Sequence, residues 1–238
     1  MRLFQPTRRR AIVLLSGGLD SVICAAWAEQ EYEQCLALTI DYGQRAAQAE
    51  LRAAEAVADR LGMRWQVLEL PWLGELGGSA LVDCTRPLPT IDPLDLDNSS
   101  SATRTARALW VPNRNGVFVA VAGAYADAWR YTDIILGLNR EEGASFPDNT
   151  EEFAEAATNL LAYSTMIHAR VISPTVEKTK IEIVRMGLDL DAPLDLVWSC
   201  YEKGPEPCWE CEACRRLQRA LEGAGVWPDS KPQWGAGQ

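Results

Sequence analysis

The sequence predicts an α/β fold, a doubly wound parallel sheet with a small metal-binding module at its C-terminal end. Three features predict this fold. Short apolar runs alternate with helical patterns in a β-α-β-α-β order, which is typical of parallel sheets with helices on both faces. The first apolar run leads into a glycine-rich turn at residues 16–21. Four cysteines lie close together between positions 200 and 214.

Three apolar runs in the N-terminal part indicate buried parallel strands, because each is short and largely apolar. They cover residues 11–15, 35–41 and 65–70. Stretches rich in Ala with spaced charged residues predict helices between them. The predicted helices are residues 20–30, 48–61, 117–129, 151–165, 180–186 and 214–223, and two later strands are residues 133–137 and 169–172.

We divide the chain into an α/β domain at residues 11–197, a four-cysteine module with a last helix at 198–223, and a tail at 224–238. Gly, Pro and Ser are frequent between residues 71 and 105, which predicts a long, partly mobile insertion in the domain. From Trp227 onward the tail is predicted to be loosely held.

The charge balance favours a small-molecule substrate. The chain has 238 residues and a net charge of -10, from 33 acidic and 23 basic side chains. Nucleic-acid binders usually present a basic face, so no nucleic-acid partner is expected. No run of about 18 apolar residues occurs, and the apolar stretch after the basic N-terminus is too short for a secretion signal. We therefore expect a cytoplasmic protein with no membrane partner.

The glycine-rich turn, Ser-Gly-Gly-Leu-Asp-Ser, lies between a predicted strand and a predicted helix. Its glycines allow backbone N–H groups to approach an anion, and the following helix directs its positive N-terminus to the same point. Asp20 is placed to hold a magnesium ion that bridges phosphates, or to cap the helix. The Gly-Lys-Ser/Thr ending of a Walker A loop is missing. The turn therefore predicts phosphate binding, and the alternative is a plain turn with an Asp cap.

Four cysteines, Cys200, Cys208, Cys211 and Cys214, predict a metal site. Zinc prefers four thiolates in a tetrahedron, and a full set of four leaves no open position for catalysis. We therefore expect a structural Zn²⁺ that ties the C-terminal segment to the domain. The alternative is that one or more of these cysteines packs in the core.

A polar segment follows the strand predicted at residues 133–137. It runs from Gly137 through Asn139 and Glu141, and continues to Phe146 and Asp148. This position is the carboxyl edge of the sheet, where open α/β sheets bind ligands. The segment predicts a binding loop, and the alternative is a solvated loop.

The loop at residues 16–21 resembles the SGGxDS signature of the N-type ATP pyrophosphatases. Three further segments resemble the 7-cyano-7-deazaguanine synthases among them. Residues 41–45 read DYGQR, residues 111–115 match VPxRN, and residues 198–201 lead into the cysteine module. Lys180, after Ser-Pro, matches the Lys that opens a late helix in that family. The resemblance covers about residues 11–221 and implies an adenine nucleotide alpha-hydrolase-like, Rossmann-type fold.

The resemblance implies an ATP-dependent ligase that adenylates a carboxylate and aminates it. Its substrates would be 7-carboxy-7-deazaguanine and ammonia, in queuosine- or archaeosine-type deazapurine biosynthesis. ATP, Mg²⁺ and a structural Zn²⁺ are the implied cofactors, and a homodimer the implied assembly. The implied catalytic residues are Asp20, Arg114 and Lys180. The implied binding residues are Leu15, Ser16, Gly17, Gly18, Leu19, Asp20, Ser21, Asp41, Gln44, Arg45, Asn115, Gly137, Asn139, Glu141, Phe146 and Asp148.

The sequence departs from the family pattern at two places. Ala46 stands where the family usually has His, and residues 141–149 replace an Asp-aromatic-Ser-Gly-Tyr-Pro-Asp-Cys run. Both departures lie where the second substrate is expected, so they leave the acceptor open. The same chemistry on another carboxylate, for example one attached to a protein or a modified base, is one alternative. A zinc-stabilised nucleotide-binding module without turnover is another, and a transfer-RNA-modifying relative is a third.

Overall fold

A computed structural model describes residues 9–91, 96 and 99–227. Its centre is a five-stranded sheet in the order β3-β2-β1-β4-β5. Every neighbouring pair of strands is parallel, which confirms the predicted α/β class with a parallel, doubly wound sheet. The strands are β1 (Arg10–Leu14), β2 (Gln34–Asp41), β3 (Arg64–Glu69), β4 (Asp133–Ile135) and β5 (Arg170–Ile172).

Helices connect the strands and also complete the C-terminal part. They are α1 (Leu19–Glu31), α2 (Ala47–Arg60), α3 (Trp72–Glu75), α4 (Ser99–Leu109), α5 (Arg114–Trp129), α6 (Arg140–Gly143), α7 (Glu151–Ser164), α8 (Lys180–Asp189) and α9 (Glu212–Gly223).

The helices bury both faces of the sheet. One apolar cluster joins Ile23 of α1, Val57 of α2 and Ile183 of α8. The other joins Val119 of α5 and Leu161 of α7 to the opposite face. Burial on both faces explains why the strands are nearly continuous apolar runs. No helix within the described residues is both long and apolar enough to cross a membrane.

The strand order creates a switch point between β1 and β4. From β1 the chain proceeds through β2 to β3 on one side, and then returns to place β4 beside β1 on the other. The connections that leave the carboxyl ends of these two strands therefore diverge and open a crevice. Ligands of open α/β sheets bind at this place.

The predicted insertion contains more regular structure than expected. Helices α3 and α4 lie within or overlap it, and Thr90 forms an isolated antiparallel bridge with Cys211. Leu96 is buried. The prediction missed α4 because its serine-rich start reads as a loop, although its later part is amphipathic enough to pack. Residues 92–95 and 97–98 of this segment lie outside the described residues.

The start of the tail packs against the domain. Val226 and Trp227 lie against the apolar cluster that holds α9, and the Trp227 ring meets the Trp209 ring edge-on at a centroid distance of 5.1 Å. The prediction of a loosely held tail from Trp227 onward is therefore wrong for Trp227. The rest of that tail, residues 228–238, lies outside the described residues.

Candidate active site

A cavity of about 290 Å³ opens at the carboxyl edge of the sheet, at the switch point. Its walls come from separate parts of the chain. They are the loop after β1, the later part of α4, the start of α5, the segment after β4, and the starts of α8 and α9. This size and position are typical of a small-molecule site. The predicted residues on its wall are Leu15, Ser16, Gly18, Leu19, Asp20, Ser21, Arg114, Asn115, Gly137, Glu141, Phe146, Asp148 and Lys180.

The loop after β1 leaves the N-terminus of α1 open toward the cavity. Gly18 is the N-cap residue of α1, and no side chain caps the helix there. The hydroxyl of Ser21 donates to the Gly18 carbonyl at 2.9 Å, and the Ser16 N–H donates to Ser21 Oγ at 3.2 Å, so the loop is braced internally. The first N–H groups of a helix have no intrahelical acceptor. The loop can therefore present them, with the positive end of the helix dipole, to an anion.

Gly17 allows this loop to lie close to α2. It has a φ of 80°, and a Cβ added to it would lie 2.7 Å from the Cβ of Ala53. Its carbonyl also accepts a hydrogen bond from the N–H of Trp198 at 2.8 Å. Gly17 therefore faces α2 and the C-terminal module instead of the cavity, and it sets the position of the loop.

A lysine joins two carboxylates beside the loop. Lys180 Nζ donates to Asp20 Oδ2 at 2.5 Å and to Glu142 Oε1 at 2.7 Å. Asn139 is fully buried, and its Nδ2 donates to the same Asp20 oxygen at 3.2 Å. The other oxygen of Asp20, Oδ1, is buried and has no hydrogen-bond partner in the described part of the chain. An unpartnered buried carboxylate oxygen beside an anion-binding loop suits a hard cation such as Mg²⁺.

The two carboxylates of this cluster differ in their pKa. Burial raises the pKa of Asp20 from 3.8 to about 6, although Lys180 opposes the rise. Burial also acts to raise the pKa of Glu142, but Lys180 and hydrogen bonds outweigh it and lower that pKa to about 2. The pKa of Lys180 lies above its usual value, because its attraction to both carboxylates exceeds the effect of burial. The cluster therefore keeps Lys180 protonated. Of its two carboxylate partners, Asp20 has the higher pKa and takes up a proton more readily.

Gly137 permits the close approach of this loop and the segment after β4. A Cβ added to Gly137 would lie 2.8 Å from the Ser21 nitrogen and 2.8 Å from the carbonyl carbon of Asp20. Both are backbone atoms, so a rotamer change cannot relieve the contact.

We expect Gly137→Ala to lower the free energy of unfolding by about 1–3 kcal/mol, because the backbones must separate. The same separation should weaken the binding of an anion at the loop after β1. Gly204→Ala is the matched control, since an added Cβ there would come no closer than 3.4 Å to another atom. Urea unfolding of both variants measures the difference. An unfolding free energy for Gly137→Ala equal to that of the control would contradict this account of the packing.

Arg114 brings a cation into the cavity from the first turn of α5. Its Nη1 donates to the Tyr42 hydroxyl at 3.4 Å and its Nε to Asn115 Oδ1 at 3.4 Å. Within the described residues, no carboxylate lies within 4.0 Å of its nitrogens. Although burial acts to lower it, the pKa of Arg114 is raised by Tyr42 and also by the charges of the Asp148 and Glu142 carboxylates. A partly buried guanidinium with only neutral neighbours at hydrogen-bond distance is suited to bind an anionic group of a ligand.

Two aromatic rings form a flat part of the wall. Trp110 and Phe146 stack with their planes at 19° and their centroids 6.1 Å apart. Trp110 directly follows α4, whereas Phe146 comes after α6, so the tertiary fold brings them together. Flat aromatic surfaces of this kind bind planar ligands such as nucleobases.

Three residues of the DYGQR segment do not lie along the cavity. Asp41 Oδ1 accepts from the Gly43 N–H at 2.9 Å. Gln44 is buried and donates to Glu50 Oε2 at 2.7 Å. Arg45 Nη2 donates to the carbonyls of two insertion residues, at 2.9 and 2.7 Å. In this structure the segment supports the cavity wall, while the neighbouring Tyr42 and Glu50 line it.

Several cavity residues were absent from the predicted set. Glu142 lies inside a segment that the sequence analysis singled out, and its density of acidic residues was the available signal. Tyr42 and Tyr201 lie inside the segments at 41–45 and 198–201, which carry the resemblance, so their signal was also available. The remaining residues come together through tertiary packing. They are Glu50, Trp110, Glu212 and Arg216.

The four predicted cysteines converge on one point. Their Sγ atoms all lie within 4.8 Å of one another, with Cys200 and Cys208 at 3.5 Å and Cys208 and Cys214 at 4.0 Å. A tetrahedral zinc with Zn–S bonds near 2.3 Å requires sulfur atoms about 3.8 Å apart. The N–H groups of Glu202 and Cys208 donate to Cys200 Sγ, which supports thiolates. The cluster therefore fits a tetrahedral metal ion with no open position.

The parallel sheet, the open loop after β1 and the lysine–carboxylate cluster define an α/β protein whose switch point is suited to bind an anion. The model of the family described as queuosine biosynthesis protein QueC matches residues 10–225. The chain belongs to this family.

Similar curated proteins agree with this assignment. A 7-cyano-7-deazaguanine synthase from Pelotomaculum thermopropionicum is 48% identical over 217 residues, which cover 91% of this chain and 98% of the relative. The synthase from Desulforudis audaxviator is 50% identical, with 91% and 98% covered. The synthase from Methanosarcina mazei is 41% identical, with 91% and 95% covered.

Proposed function

We propose that this protein is an ATP-dependent ligase that converts 7-carboxy-7-deazaguanine and ammonia to 7-cyano-7-deazaguanine. The observation that carries the proposal is the open N-terminus of α1 facing Asp20, Lys180 and Arg114 in one cavity. An uncapped helix N-terminus suits a pyrophosphate group. A guanidinium with no carboxylate within 4.0 Å among the described residues suits the carboxylate of a substrate. Membership of the family and the names of its relatives support the acceptor.

The triphosphate of ATP would bind at the loop after β1. Backbone N–H groups at Gly18 and Leu19 would hold the departing pyrophosphate, helped by the hydroxyl of Ser16. Asp20, with its unpartnered Oδ1, would hold Mg²⁺, which supplies charge neutralisation between phosphates when bound. Lys180 would stabilise the negative charge that develops on the phosphates.

The chemistry requires two activations. The substrate carboxylate attacks the α-phosphorus of ATP, pyrophosphate leaves, and an acyl adenylate forms. Ammonia displaces AMP and gives the primary amide. The amide oxygen then attacks the α-phosphorus of a second ATP, and pyrophosphate leaves again. The nitrogen loses both of its protons and the C–O bond to the adenylate breaks, which releases AMP and gives the nitrile. Both carboxylate oxygens depart in AMP, so no oxidant or reductant is needed.

Positioning and charge neutralisation supply the rate in this scheme, since no side chain is needed as a covalent nucleophile. Arg114 would hold the carboxylate for attack. Trp110 and Phe146 would offer the deazapurine base a flat apolar surface. Ala46, one of the departures from the family pattern, is buried at the N-cap of α2 and is not part of the cavity wall.

The remaining parts of the proposal concern organisation. We propose that Cys200, Cys208, Cys211 and Cys214 hold a structural Zn²⁺. We further propose that residues 11–197 form the nucleotide-binding domain, that residues 198–223 form the zinc module, and that the protein acts as a cytoplasmic homodimer with free ammonia as co-substrate.

Product analysis tests the proposal. The protein is incubated with ATP, Mg²⁺ and ammonium, with and without 7-carboxy-7-deazaguanine, and the base is examined by mass spectrometry. We expect pyrophosphate release that depends on the base, and a nitrile product. ATP binding with an unchanged base would assign the protein to another acceptor. ATP binding without any pyrophosphate release would indicate a binding module.

Arg114→Ala should lower kcat/KM for the acceptor more than kcat/KM for ATP. We expect kcat/KM for the acceptor to fall about 100-fold, because the carboxylate loses a charge-assisted contact. Arg114→Lys keeps the charge but loses the planar fork, so an intermediate value is expected. Steady-state kinetics at saturating ATP measures both variants. An unchanged KM for the acceptor in Arg114→Ala would contradict this role.

A further inference from the structure

A carboxylate of the cavity wall, that of Glu141, joins the cysteine module to the lysine cluster. Glu141 Oε2 accepts from Arg219 Nη2 at 2.7 Å and from Arg216 Nη1 at 3.3 Å. Both arginines belong to α9. The Glu141 side chain is only 16% exposed, so these ion pairs are largely shielded from solvent. Shielded, multiply paired carboxylates hold their partners more firmly than exposed pairs do.

The other oxygen of Glu141 holds the start of α8. Glu141 Oε1 accepts from the backbone N–H of Lys180 at 2.8 Å. Lys180 is the first residue of α8, and a carboxylate at this place also interacts favourably with the helix dipole. Glu141 therefore holds the backbone of the same residue whose Nζ lies between Asp20 and Glu142.

The cysteine cluster lies at the start of α9. Cys211 is the N-cap residue of α9, and Cys214 lies in its first turn. Glu212 is the first residue of α9, and its Oε1 accepts from Arg216 Nε, one turn further on, at 2.7 Å. This contact fixes the arginine on the helix surface beside Glu141. A continuous series of contacts thus runs from the cysteines through α9 and Glu141 to Lys180.

We infer that Glu141 and Arg219 are positioning residues, through which the cysteine module sets the place of Lys180 in the active site. This inference rests on the proposed function, because it assigns Lys180 to the phosphates. Its consequence is that α9 does more than stabilise the C-terminal part. When α9 or its link to Glu141 is disturbed, the start of α8 shifts, and Lys180 Nζ moves away from its position beside the phosphates.

Arg219 is the best residue for the test. Arg216 lines the cavity, so its loss would also remove a charge that a ligand can reach. Arg219 does not line the cavity, and its contact with Glu141 is the shorter one. The matched control is Arg185 of α8, whose Nη2 donates to the Gly223 carbonyl of α9 at 3.0 Å. Arg185→Ala therefore removes a contact between the same two helices at the end away from the cluster.

The experiment compares Arg219→Ala, Arg219→Lys and Arg185→Ala with the wild type. We expect kcat of Arg219→Ala to fall about tenfold, while the KM for the acceptor stays within about twofold. Arg219→Lys should recover kcat to within about threefold, since it restores the cation. Arg185→Ala should lower the melting temperature about as much but leave kcat within about twofold. The metal content should be equal in all four proteins.

Two results would overturn the inference. One is a kcat for Arg219→Ala within twofold of the wild type. The other is an equal loss of kcat in Arg185→Ala, which would assign the effect to stability alone. If Arg219→Ala does not fold, Glu141→Gln takes its place, because it keeps an acceptor for the Lys180 N–H but removes the charge that pairs with α9. A wild-type kcat in Glu141→Gln would then overturn the inference.

Binding of a nucleotide separates this inference from the proposed function. Titration calorimetry with Mg²⁺ and the α,β-methylene analogue of ATP needs no acceptor. If the wild-type protein leaves 7-carboxy-7-deazaguanine unchanged, the proposed function is wrong. In that case the inference still predicts a Kd for the analogue about fivefold higher in Arg219→Ala than in Arg185→Ala. Equal Kd values would overturn it.

Discussion

Asp20→Asn is expected to lower turnover by about 100- to 1,000-fold while the melting temperature stays the same or rises. In the proposed mechanism the Asp20 carboxylate holds Mg²⁺ and balances the charge of Lys180, and an amide can do neither. An ordinary damaging substitution lowers activity and stability together. Asp20→Asn should lower activity without lowering stability, because the buried, ionised carboxylate of Asp20 destabilises the folded protein.

The sign of the stability effect follows from the pKa of Asp20. Burial raises that pKa from 3.8 to about 6, so the folded protein binds the proton more tightly than the unfolded chain. The free energy of unfolding therefore falls as the pH rises from about 4 to about 6 and Asp20 ionises, and it stays lower above pH 6. Asn is neutral at every pH and escapes this cost.

Thermal unfolding of Asp20→Asn between pH 5 and 8, alongside pyrophosphate release, measures both effects. Ser145→Ala is a suitable control, since Ser145 also lines the cavity but lies outside the lysine cluster. A clearly lower melting temperature at pH 7 would contradict the account of the buried carboxylate. Wild-type turnover in Asp20→Asn would contradict its role.

Cys214→Ser is expected to release the metal and to lower the melting temperature by about 10 °C or more. A structural zinc contributes much of the folding free energy of a small module, and a loss of about 4 kcal/mol corresponds to a shift of this size in a chain of this length. Turnover should fall below detection at the growth temperature of a mesophile, because α9 forms one wall of the cavity.

Metal analysis and calorimetric melting of the purified variant test this expectation. Cys84→Ser is the matched control, because Cys84 is exposed and lies outside the cluster. The control should keep one metal ion per chain and the wild-type melting temperature. Full metal content in Cys214→Ser, or an unchanged melting temperature, would contradict a four-thiolate structural site.

The features predicted well are those whose cause is local in the sequence. The loop after β1 needs a strand, two glycines and a helix in direct succession, and all three are visible within a few residues of Gly18. The cysteine cluster was visible in the same way, because three of its members repeat at every third position. For both, spacing along the chain already determines proximity in space.

The features that were missed depend on contacts between distant segments. Trp110 and Phe146 stack on each other in the cavity wall, and Arg219 reaches Glu141, although nothing in either local pattern points to the other. The DYGQR segment shows the reverse case. Its motif was evident, but Gln44 makes supporting hydrogen bonds beside the cavity, and a motif does not distinguish a binding residue from a supporting one.

Oxygen transfer from the acceptor tests the central claim most directly. The protein is given ATP, ammonium and 7-carboxy-7-deazaguanine with ¹⁸O in both carboxylate positions, and the AMP is examined by mass spectrometry. If both activations pass through adenylates, each nitrile formed should be accompanied by two AMP molecules, each with one ¹⁸O atom. AMP free of ¹⁸O, or release of ADP and phosphate in place of AMP and pyrophosphate, would contradict the account.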